Sequence, residues 1–436
     1  MANEKLEPRL ASLISNSRLR AAARGIAAAE AEQEPITVTI SHAERFPAVE
    51  EEKSKYSFQA LAEKVKKSQK GILSRLRELS VGEPVVHTLT NAVTTTLAVP
   101  QLRQIAELDE VELIRLDALD AVTCMNESRR VIETTEAQEE FNANGRDIRV
   151  AILDSGIDEN HPALLGKVVD RFSTAGEDVA IPGNHGTHVA GTVASNDPVY
   201  RGIAPQAQLI NIKVLTAAGF GTPAGVIAGL EQAVRRDARV ASLSLGWSEV
   251  YHNWVCQDAD CILCEAADNA VRLGVTVVVA AGNEGTDGAR PPFSIRHPGA
   301  ARRVITVGAV DKAKVLATFS GIGPASGRLS QNSPIRLTKP DVSAPGVSIT
   351  SSVLGGGFAS FNGTSMATPH VAGLVALMLQ QNRHLTPLMT KKLLEETCEP
   401  LPYGANQVGY GLVNAYAAVL RAASSAALAA GAAGGR

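Results

Sequence analysis

Two rhythms of apolar and polar residues run along the chain. Ile36-Thr37-Val38-Thr39-Ile40 repeats every second residue, the pattern of a strand with one buried face. In the stretch 57–79, SFQALAEKVKKSQKGILSRLREL, the apolar residues Leu61, Val65, Ile72, Leu73 and Leu76 fall near helical spacing. VVHTLTNAV and TTTLAV then read as strands, QLRQIAEL after Pro100 as a short helix, and Val111-Glu112-Leu113-Ile114-Arg115-Leu116 as another strand. The order β-α-β-β-α-β predicts a small α+β, ferredoxin-like domain of about 85 residues over 35–120. It follows an Ala-, Arg- and Glu-rich extension, 1–34, that reads as helical or mobile.

From residue 147 the texture changes. IRVAILD, QLINIKVL, VASLSL, VTVVVAAG and RVITVGAV are nearly unbroken apolar runs, as strands covered on both faces require. PAGVIAGLEQAVRR and ILCEAADNAVRL between them have helical spacing. The alternation predicts an α/β domain with a doubly wound, mostly parallel sheet over 147–423. Residues 121–146 read as a linker and processing region. The Ala/Gly-rich end, 424–436, reads as a disordered tail. No internal repeat is evident.

Composition narrows the function. Of 436 residues, 45% are hydrophobic and 20% charged, which is ordinary globular usage. The net charge of −3 offers no single-sign field for nucleic acid or an anionic membrane. No apolar run approaches the roughly 18 residues of a transmembrane helix. The N-terminus, MANEKLEPRLASLISN, lacks the apolar core and cleavage site of a secretory signal. Five cysteines are too few and too odd for a disulfide framework. Both features point to the cytoplasm, or to secretion if a leader has been removed.

Candidate chemistry sits in four segments. The run Val150–Asp158 carries Asp154 at the carboxyl end of a buried strand, where parallel sheets place their sites. Asn184-His185-Gly186-Thr187-His188 turns a polar loop into a helix. Asn362-Gly363-Thr364-Ser365 precedes an apolar helix, with Pro369 expected in its first turn. Ala280-Ala281-Gly282-Asn283 places an amide after a buried strand. Serine alone is a poor nucleophile. It needs a base to take its proton, and the base needs an acid to fix its tautomer. An amide and a main-chain N–H can hold the resulting oxyanion.

The four segments, in the order Asp–His–Ser, resemble the subtilisin-like serine peptidases, the subtilases. The resemblance runs from about residue 147 to 420 and includes Ser242-Leu243-Ser244-Leu245-Gly246, Asp341-Val342-Ser343-Ala344-Pro345-Gly346 and Tyr410-Gly411-Leu412-Val413-Asn414. It implies Asp154 as the orienting acid, His185 as general base, Ser365 as nucleophile and Asn283 as oxyanion donor. It also implies that Ser244, Leu245 and Gly246 pair with substrate backbone on one side and Gly219, Phe220 and Gly221 on the other. Ala280, Ala281 and Gly282 would wall the primary specificity pocket, with Arg296 at its bottom. The domain at 35–120 is similar to subtilase propeptides. The chain would then be a self-processing zymogen: a serine endopeptidase acting on protein or peptide substrates, with its own propeptide as intramolecular inhibitor. Cleavage is expected within 117–133, where Asp120 and Glu127 suit an acidic preference set by Arg296. The alternatives are that Arg296 pairs with a nearby acid, and that the molecule is a propeptide-locked or catalytically silent binding protein.

The remaining candidates stay open. His252, Cys256, Cys261 and Cys264 are compatible with unpaired thiols, a Cys256–Cys261 disulfide or a zinc site. No metal ligand is assigned among the site residues, and no cofactor is required. The strong subtilase calcium site needs an acid after His161-Pro162, where this chain has Ala163, and a longer loop than Ser195–Gly202, so its absence is expected. A weaker carbonyl site for calcium near 298–304 stays open. His188 and His370 are expected to be structural, and the lysines around Val65 a solvated helix face.

Overall fold

The computed structural model describes residues 5–6, 36–44, 58–79, 83–87, 91–116, 127–247, 259, 261–285, 293–330 and 333–434. The chain forms two compact units, Met1–Thr123 and Cys124–Ala433.

In the first unit β1 (Ile36–His42), α1 (Phe58–Ser68), α2 (Lys70–Glu78), β2 (Val85–His87), β3 (Ala92–Leu97), α3 (Val99–Ala106) and β4 (Val111–Leu116) follow the expected order. The sheet runs β2-β3-β1-β4, and every neighbouring pair is antiparallel. Val38 and Ile40 of β1 meet Ile72 and Leu76 of α2 and Leu102 and Ile105 of α3 in one core. The single helix expected over 57–79 is two. The break falls at Gln69, whose buried side chain turns to bond Asn91 Oδ1 at 2.9 Å. Val65 is buried while Lys64, Lys66 and Lys67 are exposed, so the lysine run is a solvated face.

The second unit opens with α4 (Glu127–Val131) and α5 (Thr134–Phe141). Its main sheet is built from β5 (Arg149–Asp154), β6 (Val168–Ser173), β7 (Gln208–Lys213), β8 (Val240–Leu243), β9 (Thr276–Ala280), β10 (Ile305–Val310) and, after the hairpin β11–β12 (Ala325–Ser330, Ser333–Leu337), β13 (Val342–Pro345). The helices interleaved with these strands are α6 (Asn184–Ala194), α7 (Pro223–Arg235) and α8 (Ile262–Arg272). A second hairpin, β14–β15 (Ile349–Val353, Gly357–Phe361), leads to α9 (Thr364–Gln381), α10 (Pro387–Glu396) and α11 (Ala415–Gly434).

The sheet order is β13-β10-β9-β8-β5-β7-β6, all parallel. Ala151 and Leu153, Ala241 and Leu243, and Val277 and Val279 share one core with α7 and α8, so these helices cover one face. The alternating residues Val150, Ile152, Val240 and Val278 are equally buried, and α6 and α9 pack together against the same strands. A parallel sheet needs this double cover, because each strand is apolar on both sides. Strand order reverses at β5. That reversal opens a crevice at the carboxyl ends of its neighbours, where α/β sheets bind ligands.

Two expected boundaries are corrected. Residues 127–146 are not linker. Ile132 is fully buried, Ala415 N donates to its carbonyl, and Gln138 Nε2 donates to Ile203 O at 2.8 Å. The segment beyond Ser424 is not a disordered tail up to Gly434, because α11 continues through it. Alanine is the best helix former, and Ser424 anchors the extension by donating to Leu420 O. The processing region 117–126, Asp120, His252 and Cys256 lie outside the described residues. Among the described residues no helix is long and apolar enough to cross a membrane.

Candidate active site

β5 ends at Asp154, which is 1% exposed. Its Oδ1 accepts from Ser155 N at 2.7 Å and from Ser155 Oγ at 3.1 Å. Ser155 Oγ in turn accepts from Gly186 N at 3.0 Å, tying the start of α6 to the end of β5. His185, the second residue of α6, is thereby delivered to the carboxylate. Its Nδ1 donates to Asp154 Oδ1 and Oδ2 at 2.9 and 3.0 Å. A carboxylate at Nδ1 fixes the tautomer with a bare Nε2, the form a general base needs. Burial alone would lower the His185 pKa. The negative charge of Asp154 and its hydrogen bond more than offset that and hold it above the ordinary value.

Lys213 stands beside Asp154 in the β5–β7 register. It is fully buried, donates to Ser155 O at 2.6 Å and pairs with Glu177 at 2.8 Å. Sequence reading missed it, since a lysine at the end of an apolar strand reads as an edge residue.

Ser365 stands at the start of α9, the buried helix that crosses β8, β9 and β10. Its hydroxyl donates to Ser244 O at 3.1 Å, and Ser244 Oγ donates to Ser365 O at 2.8 Å. Pro369 lies in the second turn, not the first as expected. Asn283 is anchored by its carbonyl: Oδ1 accepts from Thr364 N at 2.9 Å and from Thr364 Oγ1 at 3.0 Å. Its Nδ2 therefore faces the turn before Ser365. A Cβ on Gly363 would sit 3.3 Å from Asn283 Nδ2 and 3.5 Å from Ser365 N. Two donors thus border one small space beside Gly363, which sits at φ +152°.

The two segments expected to be substrate edges follow the carboxyl ends of β8 and β7. Sheet pairing of β8 ends at Ser242 on one side and Leu243 on the other, so Ser244, Leu245 and Gly246 run on beyond it. Gly219, Phe220 and Gly221 form an exposed turn in which Thr216 N bonds Phe220 O at 2.7 Å, and the Phe220 side chain is 75% exposed. Ala280 ends β9, Ala281 O accepts from Arg296 N at 2.8 Å, and the Arg296 stem fills the gap between Gly246 and Gly282.

The guanidinium of Arg296 is not a lone charge in that gap. Its Nε pairs with Glu284 Oε1, and the Glu284 side chain is 3% exposed. The acidic preference expected above needed an uncompensated cation, and this pair supplies the compensation. Glu127 also loses its role as a cleavage position. It begins α4 and pairs with Lys312 at 2.6 Å, which holds its carboxyl below the usual range. His188 and His370 are structural, as expected. His188 Nε2 bonds Ile349 O at 2.9 Å and its ring stacks on Phe361 at 4.5 Å. His370 bonds Met366 O at 2.8 Å and Ser128 Oγ at 2.9 Å. Burial lowers both pKa values to about 4.

Comparison with known proteins adds the context. Residues 145–412 match the family model described as the subtilase family. Subtilisin NAT of Bacillus subtilis subsp. natto is 36% identical over 277 residues, 63% of this chain and 66% of its own length. An intracellular serine protease of Paenibacillus polymyxa is 34% identical over 319 residues, 70% of this chain and 90% of its own. Among solved structures, a cold-adapted subtilisin-like serine proteinase superposes with a TM-score of 0.50 at 30% identity, over 63% of this chain and 89% of that one. With the parallel sheet reversing at Asp154, these matches lead to one conclusion: the chain belongs to the subtilase family, the subtilisin-like serine peptidases.

Proposed function

We propose that this chain is a serine endopeptidase that hydrolyses protein or peptide substrates, and that its first unit is a propeptide. The observation that carries the reading is the carboxylate–imidazole pair of Asp154 and His185 in a unit that also sets Asn283 Nδ2 and Ser365 N beside one small space. Substrate enters as a strand between Ser244–Gly246 and Gly219–Gly221. Ser365 Oγ turns from Ser244 O to the carbonyl carbon, and its proton passes to His185 Nε2. The C–O bond forms as the carbonyl becomes an oxyanion, which Asn283 Nδ2 and Ser365 N hold. Collapse breaks the C–N bond, the amine leaves with the proton from His185, and water repeats the sequence on the acyl-enzyme.

The first unit has the β-α-β-β-α-β order expected of a subtilase propeptide, with its first helix broken in two at Gln69, which supports a zymogen that cleaves itself between residues 117 and 126. Intact mass followed over time tests this. Wild type should lose its first unit, and Ser365→Ala should not. Identical masses after prolonged incubation would remove self-processing.

The second reading, a propeptide-locked binding protein, draws on the resting position of the Ser365 hydroxyl on Ser244 O. A serine-reactive phosphonate separates the two. Stoichiometric labelling of Ser365 together with peptide turnover supports the peptidase, and a processed protein that neither labels nor turns over supports the lock.

The site calls for no cofactor. Of the candidate calcium carbonyls, Val304 O already accepts from Lys391 Nζ at 2.9 Å and Arg302 O from the same group at 3.3 Å. An ammonium group therefore stands where a weak cation would seek oxygen, and Ala163 offers the strong site no ligand. Both features support a fold that does not depend on calcium.

A further inference from the structure

We propose that Cys261, Cys264 and His297 bind a zinc ion that ties the start of α8 to the floor of the specificity pocket. Sequence proximity had suggested His252 as the histidine of such a site. The fold instead brings in His297, from beyond β9. Cys264 Sγ lies 3.1 Å and Cys261 Sγ 3.4 Å from His297 Nδ1, and the three ligand atoms are all within 4.8 Å of one another. Around a tetrahedral zinc, with Zn–S about 2.3 Å and Zn–N about 2.0–2.1 Å, a sulfur and a nitrogen stand about 3.6 Å apart and two sulfurs about 3.8 Å. The two sulfur–nitrogen distances need to open by about half an ångström or less to admit the ion.

The donor chemistry selects the metal. Two thiolates and an imidazole suit zinc and reject calcium or magnesium, which take oxygen. Cys264 and His297 are fully buried and Cys261 is half-buried, so the site is shielded but reachable from one side. Local structure aims the donors. Cys261 is the N-cap of α8, which places Cys264 one turn on along the same face. His297 is held by a two-way backbone bridge with Trp247, N to O at 2.9 and 3.0 Å. The fourth position falls to water, as at zinc sites with three protein ligands.

The consequence is mechanical. Trp247 continues the strand that carries Ser244–Gly246, and His297 follows Arg296. An ion at His297 would pin both walls of the pocket to α8. Binding also deprotonates the two thiols, so it releases protons.

The test uses full-length protein carrying Ser365→Ala, which removes autolysis. After dialysis against metal-free buffer, metal analysis should find about one zinc per chain. Cobalt added to the stripped protein should give a thiolate-to-cobalt charge-transfer band and the visible bands of tetrahedral cobalt. Cys264→Ser and Cys261→Ser should each lose the band, while Cys398→Ser, whose thiol bonds Leu394 O elsewhere, keeps it. The cobalt spectrum of the unsubstituted cysteines stands even if a cysteine variant fails to fold. Protein that takes up no zinc and gives no cobalt band overturns the proposal. So does an intact mass showing Cys261 and Cys264 joined in a disulfide that persists in the folded, zinc-supplied protein.

Discussion

Ser244 supplies the hydrogen bond that Pro369 withholds from Ser365. In a helix the carbonyl of residue 365 accepts from the N–H of residue 369, and proline has none. Ser244 Oγ fills the vacancy at 2.8 Å. The backbone of Ser365, the proposed nucleophile, is thus pinned from across the crevice, by a residue of the proposed substrate strand. Ser244→Ala should cost about 1–3 kcal/mol, the penalty of an orphaned carbonyl. Pro369→Ala restores the N–H, so the double variant should recover much of that loss. Additive losses in denaturant unfolding would show that the two residues do not share this carbonyl.

Asn283→Leu keeps the side-chain bulk and removes the donor. In the proposed mechanism the amide faces a charge that exists only in the transition state, so kcat should fall on the order of 10²–10³, the size known for the equivalent donor of a subtilisin, with KM nearly unchanged. Steady-state kinetics on a peptide amide decides this. An effect confined to KM would assign Asn283 to ground-state binding.

His185 works as a base only when neutral. Since Asp154 raises its pKa above the ordinary value of about 6.5, activity should be lost as pH falls through that raised value. The same shift stabilises the fold below the unfolded pKa of about 6.5, and this contribution disappears as pH rises through the folded value. The active form is therefore the one without it. Asp154→Asn should move the acid limb of kcat/KM to lower pH and cut kcat by about 10⁴, through loss of the tautomer. A limb that stays in place would mean another group titrates there.

The Arg296–Glu284 pair sets a prediction for specificity. With the guanidinium neutralised, wild type should show no strong preference for Asp or Glu before the scissile bond. Glu284→Gln frees the charge and should raise the relative kcat/KM for acidic residues by about tenfold, the worth of a charge-assisted contact of 1.4 kcal/mol or more. Peptide-library profiles that are the same in both proteins would place Arg296 outside the pocket's recognition surface.

Removing calcium should leave thermal stability unchanged in protein kept supplied with zinc. The oxygens near Val304 are held by Lys391, which also pairs with the buried Asp341 at 2.7 Å, as does Lys339. Burial alone would raise the Asp341 carboxyl, but the two lysines hold it below its usual range. Its contribution is therefore present above the unfolded carboxylate value and lost as pH falls through the depressed one. Lys391→Met should destabilise by up to about 3–5 kcal/mol, with Lys339 limiting the loss. A melting temperature that drops in EGTA and returns with calcium would contradict this account.

Local rhythm alone was enough to read the small antiparallel sheet, five of the seven strands of the parallel one and most helices, because strand and helix periods are properties of neighbouring residues; β6 and β13 were not read. The four segments bearing Asp154, His185, Asn283 and Ser365 were legible for a related reason. Each pairs a reactive side chain with small residues at the end of a strand or the start of a helix, and that geometry is local. Tertiary structure decided what distant partners do to one another. Nothing near Arg296 in sequence announces Glu284, and nothing near Cys264 announces His297. Residues 127–146 looked like linker until Ile132 found its buried place, and the Ala-rich end looked disordered until α11 carried it on. Ser244 could be read as substrate-binding, but not as the partner of a carbonyl that Pro369 leaves open. Charge compensation, ligand clustering and the rescue of orphaned backbone groups depend on distance through space, and only the folded sheet, reversing at β5, brings those residues together.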